Sequence, residues 1–301
     1  MIITDSQIHI WEAHRPDRPW PPEELVHKQF IAAPGARPHR AEPMGAEEMV
    51  GMMNAIGVAR SVIVPPSPAG DQNFSALEAY QRYPTRYGVM GRFDPKRPDA
   101  DEALAGWLDQ PGMLGIRMTF HKPQWAPWLT DGSIDPFWAG CERHRIPVML
   151  LLPGRPDTIP AIAERHPGLT LIIDHMARKS ALRDDEAFAD VDELLALARY
   201  PNVSVKTSSA PSYSTQPFPF RNIAPYLKRI FDAFGPKRTM WGSDVTRLPC
   251  TYAECLEQFL YHLDFLRGED KAWVMGKAIA ELLRWPEPEI FDLAVPAERI
   301  A

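Results

Sequence analysis

One alternation constrains this chain more than anything else. Short apolar, β-prone runs each lead into polar, chemically capable residues, and these junctions are spread over the whole length. Met1-Ile2-Ile3 leads into Asp5-Ser6-Gln7-Ile8-His9, and Gly112-Met113-Leu114 into Gly115-Ile116-Arg117. Residues 169–173 lead into Asp174-His175, and Arg238-Thr239-Met240 into Trp241-Gly242-Ser243-Asp244. Between such runs lie segments with apolar residues at helical spacing, for example Met49, Met52, Met53 and Ile56. Strands alternating with helices favour a parallel sheet with crossover helices. A closed (β/α)8 barrel turns the C-terminal ends of all its strands to one face, so reactive groups far apart in sequence converge there.

The alternation predicts eight strands, at residues 1–4, 61–64, 87–91, 112–117, 148–152, 169–174, 203–206 and 239–241. Helices are expected at 46–56, 73–82, 101–108, 137–145, 159–165, 191–198, 223–234 and 252–263, with a last one at 271–283 outside the repeat. The expectation is a (β/α)8 TIM barrel with long βα loops over its C-terminal face. It forms a single domain over residues 1–301, with the barrel in 1–285 and a tail after it. First and last strands of a closed barrel are neighbours, so His9 and Asp244 should lie within about 12 Å of each other.

Composition narrows the function classes. A net charge of −6 with no Lys/Arg-rich run gives nucleic acid nothing to bind. No apolar run approaches the roughly 20 residues of a membrane span. The first residues enter a strand with no basic and apolar leader before it, so a cytoplasmic protein is expected. Its three cysteines, Cys141, Cys250 and Cys255, lack metal-type spacing and read as reduced thiols. The expected partner is a small molecule, with neither nucleic acid nor membrane, and a homo-oligomer is left open.

Three connections after strands are too long for simple turns. Residues 12–45 carry seven prolines, residues 120–134 carry Trp125 and Trp128, and residues 207–220 carry Tyr213, Phe218 and Phe220. Long loops without secondary structure are uncommon unless they are functional or disordered. Proline lowers the entropy that ordering costs. The aromatic loops read as walls and a lid of a pocket.

The ordered set Asp-x-x-x-His, Gly-Ile-Arg, Asp-His-Met-Ala, Asn-Val-Ser-Val-Lys-x-Ser and Trp-Gly-Ser-Asp resembles the amidohydrolase-2 branch of the amidohydrolase superfamily. Within that branch it is most similar to the lactonase-like group, which includes 2-pyrone-4,6-dicarboxylate lactonase and sugar lactonases. The resemblance runs to Met275-Gly276-Lys277-Ala278. It implies a hydrolase with His9, His175 and Asp244 as catalytic residues, Asp244 activating the attacking water. It also implies substrate contacts from Arg117 and Lys206, and the site adds Gln7, His121, Trp125 and Tyr213 as candidate substrate neighbours.

Two departures from the family pattern bear on metal. Gln7 stands where relatives carry the first His of a first-strand pair, and the strand at 148–152 has no His. A catalytic zinc usually takes three protein ligands, and a neutral amide oxygen is a poorer first-row ligand than imidazole. His9, His175 and Asp244 remain as a ligand set if a metal is bound. The expectation is that no cofactor is required, the alternative being one zinc or manganese ion.

Each candidate also has a structural role open to it. His9 and His175 can be satisfied core histidines, and Asp244 can cap the following helix, although Thr251 is better placed to do so. Arg117 can pair with a core carboxylate, Lys206 can be an interior ion-pair partner, and Trp241 can be barrel packing. His121 reads as a surface residue or a substrate contact. Together the residues suit opening of a small carboxylated lactone. Asp244 would be the general base, its environment raising its pKa toward neutrality, and cationic groups would face the developing oxyanion. The alternatives are a metal-dependent decarboxylase or hydratase of an aromatic or unsaturated acid, and a barrel that binds a small molecule without catalysis.

Overall fold

The computed structural model describes residues 1–13, 15–18, 42–67 and 70–288. Most of the 12–45 loop and the end of the expected tail lie outside the described residues. Eight parallel strands form one sheet in sequence order: β1 (Thr4–Ile8), β2 (Arg60–Ile63), β3 (Tyr87–Gly91), β4 (Met113–Thr119), β5 (Val148–Leu151), β6 (Leu171–Ile173), β7 (Val203–Lys206) and β8 (Thr239–Met240). Beyond β8 the sheet meets β1 again. The Ser6 N–H donates to the Trp241 carbonyl at 3.3 Å and the Asp244 N–H to the Gln7 carbonyl at 2.8 Å. This is the expected (β/α)8 barrel.

Around it stand α1 (Ala46–Ile56), α2 (Phe74–Arg82), α3 (Ala100–Ala105), α4 (Asp135–Arg143), α5 (Ile159–Arg165), α6 (Asp184–Ala187), α7 (Val191–Leu195), α8 (Ala224–Phe234), α9 (Tyr252–Tyr261), α10 (Gly268–Ala272) and α11 (Ala278–Leu282). Local chemistry explains several boundaries. Gly57 takes the left-handed conformation (φ 78°) that ends α1. At the start of α9 the Thr251 hydroxyl accepts from the Glu254 N–H while the Glu254 carboxylate accepts from Thr251, a reciprocal cap. Thr251 therefore caps that helix and leaves Asp244 free of the task.

Two expectations need correction. The first strand does not stop at residue 4 but runs through Ile8, so Asp5 and Gln7 are strand residues. The last helix, expected as one piece over 271–283, is divided by a wide π-type turn at Trp273–Lys277. Gly276 is the reason: a Cβ there would lie 2.3 Å from the Ile2 carbonyl oxygen, so the chain passes against β1 where only glycine fits.

The barrel interior has two layers. Val62, Val64, Met90, Met149, Ile172 and Met240 fill the lower part, closed beneath by Ala278, Ile279, Leu283 and Trp285. A larger apolar shell lies between barrel and helices. The upper layer is polar, and it forms the candidate site.

Candidate active site

At the upper end, β1 supplies Gln7 and His9, the turn after β6 supplies Asp174 and His175, and β7 ends on Lys206 before Ser208 and Ser209. The segment after β8 supplies Asp244. His9 Nε2 lies 3.1 Å from Asp244 Oδ1, well inside the 12 Å expected of a closed barrel. His175 Nε2 lies 3.8 Å from Asp244 Oδ2. The His9 Nδ1 faces the Val64 carbonyl at 2.6 Å, which assigns the proton to Nδ1 and leaves Nε2 toward Asp244. Ser208 Oγ is 2.8 Å from His175 Nδ1, and the Ser209 hydroxyl donates to Asp244 Oδ2 at 2.8 Å.

The backbone under these groups is strained. His175, Met176, Ala177, Ser209 and Asp244 all have φ between 52° and 57°. Non-glycine residues held there cost on the order of 1–3 kcal/mol each, and such strain clusters at functional sites. Gly242 allows the close approach of the last segment to β1, since a Cβ there would meet Ser6 Oγ at 2.6 Å.

Asp174 ties the remaining charges together. Lys206 Nζ donates to its Oδ1 at 2.9 Å and Arg117 Nε to its Oδ2 at 3.1 Å, all three side chains being buried. Burial alone would raise the Asp174 pKa, but the charges of Lys206 and Arg117 outweigh it and hold the carboxyl below its usual range. Lys206 also donates to Gln7 Oε1. Lys206 and Arg117 therefore occupy the ion-pair role that the sequence left open, and Arg117 has one edge of its guanidinium committed.

Asp244 departs from expectation. Its burial raises the pKa, yet the contact with His9 and, further out, the Arg247 guanidinium hold it well below the carboxylate range rather than near neutrality. Asp244 is ionised at neutral pH. Its Oδ1 is buried and faces His9 Nε2 at 3.1 Å. His175 is held down to about 4, first by burial and then by the charges of Lys206 and Arg247 against Asp244 and Asp174, so it is neutral.

Beside this cluster lies a cationic rim. Arg92, at the end of β3, donates to Thr119 Oγ1 at 3.1 Å and to Asp71 Oδ1 at 3.3 Å. The Lys122 ammonium sits 4.4 Å over the Trp125 ring, and His121 meets the same ring edge-on at 6.2 Å. Burial, then the charges of Arg117, Lys122, Arg92 and Arg247, push His121 down to about 3. His121 is thus a neutral, partly buried residue among cations. Lys122 is lowered to about 8 by burial and by Arg92, and Arg92 to about 10, chiefly by burial. Tyr213 is buried against Phe188 and feels the charges of Arg247 and Asp244. Phe218 and Phe220 pack on each other, and Phe218 packs on His262 at the end of α9.

Sequence reasoning left Ser208, Ser209, Arg92, Lys122 and Arg247 unassigned. Arg92 was legible by the rule that found Arg117, since Gly91-Arg92 also ends a strand. Ser208 closes the Asn-Val-Ser-Val-Lys-x-Ser run without a role assigned to it, and Ser209 carries no signal, because serine after a strand is ordinary turn chemistry.

His9, His175 and Asp244, the residues that would serve as ligands if a metal were bound, stand together, the two imidazoles at 3.1 and 3.8 Å from the carboxylate. Among the described residues no group of three or more His, Cys, Asp or Glu side chains is arranged to hold a metal ion. Gln7, where a relative's His would stand, has its amide oxygen capped by the Lys206 ammonium. No helix among the described residues is long and apolar enough to cross a membrane.

Comparison with known proteins bears on the same site. The chain is 26% identical over 249 residues to an L-fucono-1,5-lactonase of Burkholderia ambifaria, covering 81% of each. It is 26% identical over 200 residues to a 4-sulfomuconolactone hydrolase of Hydrogenophaga intermedia, covering 66% of this chain and 64% of the relative. A crystal structure of a Burkholderia multivorans amidohydrolase with bound zinc superposes with a TM-score of 0.78 at 21% identity, over 95% of this chain and 100% of that one. Residues 4–285 match the model of the amidohydrolase family, and the chain belongs to that family.

Proposed function

We propose that this protein opens a small lactone bearing acidic groups, using water activated at Asp244 and no metal ion. The observation that carries this is Asp244 Oδ1, a buried carboxylate oxygen that faces His9 Nε2 at 3.1 Å. A carboxylate held far below its usual pKa is a weak base alone. Paired with an imidazole nitrogen 3.1 Å away, it can share the proton a water gives up as its oxygen bonds to the lactone carbonyl carbon. The ring C–O bond then breaks, and the departing oxygen takes that proton back from the same pair. His175 and the Arg247 guanidinium, both within 4.0 Å of Asp244, supply donors toward the oxyanion. One such preorganised donor is typically worth about 3 kcal/mol.

The metal-free reading is supported by Lys206, whose ammonium occupies the Gln7 oxygen that would otherwise face the cluster. The acidic substrate is supported by the rim. Arg92, Lys122, Arg117 and Arg247 converge around neutral His121, in a protein whose net charge is −6. Relatives named for a sugar lactone and for a sulfonated lactone bracket the choice, and the rim favours the charged one.

The test is hydrolysis of a panel of neutral and carboxylated γ-lactones and pyrones, before and after exhaustive chelation with elemental analysis. We expect turnover of carboxylated members, undiminished by chelation. Loss of activity restored by about one equivalent of zinc or manganese overturns the metal-free part and promotes a metal-dependent decarboxylase or hydrolase. A panel without any turnover overturns the lactonase reading itself.

A further inference from the structure

The buried carboxylate that the reaction does not use is Asp5, fully enclosed in the seam where the barrel closes. Two backbone hydrogen bonds join the segment after β8 to β1 there, and the side chain of Asp5 adds further bonds across the seam. Its Oδ1 accepts from the Ser243 N–H at 2.8 Å and from the Gln7 N–H at 3.0 Å. Its Oδ2 accepts from the Tyr252 hydroxyl at 2.8 Å and from the Ser243 hydroxyl. The groups facing it are therefore Gln7 on β1, Ser243 after β8, and Tyr252 and Cys255 on α9. Ser61 on β2 stands behind Tyr252. None of these is a cation.

Four donors meet one carboxylate, and two of them belong to the residue before Asp244. We infer that Asp5 is a positioning residue: its charged form clasps Ser243 to β1, and through Ser243 it holds Asp244 in its left-handed conformation against His9. The clasp rests on the role proposed above for Asp244. Ionised, Asp5 satisfies all four donors. Protonated, it brings a fifth hydrogen into the same space, so Ser243 or Tyr252 must turn away and Asp244 is left with its own bonds to Gln7 and Ser209.

Holding the charge there is unfavourable for folding. Burial raises the Asp5 pKa from 3.8 to about 6, against the lowering effect of the bonds from Ser243, Gln7 and Tyr252. The folded state thus favours the protonated acid. Stability from this group is greatest below the unfolded value, falls as pH rises through the interval up to the folded value, and is level above it. A charge kept at a cost to stability, beside the residue that needs orienting, is the usual trade between stability and activity.

Asp5→Asn keeps the shape and removes the charge. Its melting temperature minus that of the wild type should rise from pH 4 to pH 6 and then stay constant. On a carboxylated lactone that the wild type turns over, kcat of the variant should fall at least tenfold with KM within about twofold. The acid limb of the wild-type kcat profile, with its midpoint near pH 6, should be absent. Tyr252→Phe, which keeps the acid and removes one donor, should move that limb to higher pH. If Asp5→Asn fails to fold, this second shift decides the matter. A reading free of substrate is the ¹H–¹⁵N resonance of the Ser243 amide, which donates to Asp5 Oδ1, assigned with Ser243→Ala. It should move through the same pH interval in the wild type and not in Asp5→Asn. An unchanged acid limb, an unshifted limb in Tyr252→Phe, or a Ser243 signal indifferent to Asp5 each overturns the clasp. If no lactone is turned over, the lactonase reading falls, and the Ser243 resonance and melting curves still decide about Asp5.

Discussion

The two ends of the barrel interior handle buried charge in opposite ways. At the lower end there is Arg60, only 1% exposed. Its Nε donates to Thr4 Oγ1 at 3.1 Å, its Nη1 to the Pro286 carbonyl at 2.9 Å, and its guanidinium lies 4.4 Å over the Trp285 ring. That charge is surrounded by partners and aliphatic packing, and nothing in it invites a ligand. At the upper end Asp174, Lys206, Arg117, His175 and Asp244 are as deeply buried, yet Asp244 faces two imidazoles, His9 at 3.1 Å and His175 at 3.8 Å. A buried charge held by backbone carbonyls and a hydroxyl is structure. One held on strained backbone beside two groups that can carry a proton is capacity for chemistry.

The contrast is broken most sharply at Asp244. Asp244→Asn keeps shape and hydrogen bonding but cannot accept the water's proton, and should lower kcat by about a thousandfold with the melting temperature little changed. Activity within tenfold of wild type, with circular dichroism intact, would move the base elsewhere.

Lys206→Met comes next. It removes one side of a buried pair while Arg117 still faces Asp174, and should cost about 3 kcal/mol in urea unfolding. Turnover should fall as well, because Gln7 loses its anchor. A variant as stable as wild type would show that Arg117 alone suffices for Asp174.

At the lower end the effect should be purely structural. Trp285→Ala opens a cavity under the barrel and uncovers Arg60, costing about 3 kcal/mol. Its kcat should stay within twofold of the wild type. A large change in kcat would show that the two ends are coupled.

The smallest expected effect lies on the rim. Arg92→Gln should raise KM for a carboxylated lactone about tenfold, or ~1.4 kcal/mol, with kcat nearly unchanged. Neutral lactones should be indifferent to it. Equal effects on both would make Arg92 a scaffold residue held by Thr119 and Asp71.

How much of this was legible in the sequence follows from what kind of information each feature needs. Strand and helix alternation depends on local pattern, so the barrel and the convergence of His9, His175 and Asp244 could be read in advance. Thr251 as a helix cap was equally local. The extent of β1 was not, because Asp5 and Gln7 look like loop residues until Ser243 and Lys206 satisfy them. The break in the last helix depended on Gly276 meeting Ile2, 274 positions earlier in the chain.

The sequence by itself determined which residues reach the upper face, since strand order and the side on which strands end are fixed by period and connectivity. Only the tertiary structure decided what those residues become there. Asp244 and Asp5 are the same side chain, both buried in the same seam region. The His9 contact and a guanidinium pull the Asp244 pKa far down, while Asp5 faces only neutral donors and burial pushes it up to about 6. The reason is physical. An acid's proton affinity depends on the charges and solvent within a few ångströms, and folding selects those neighbours from the whole chain.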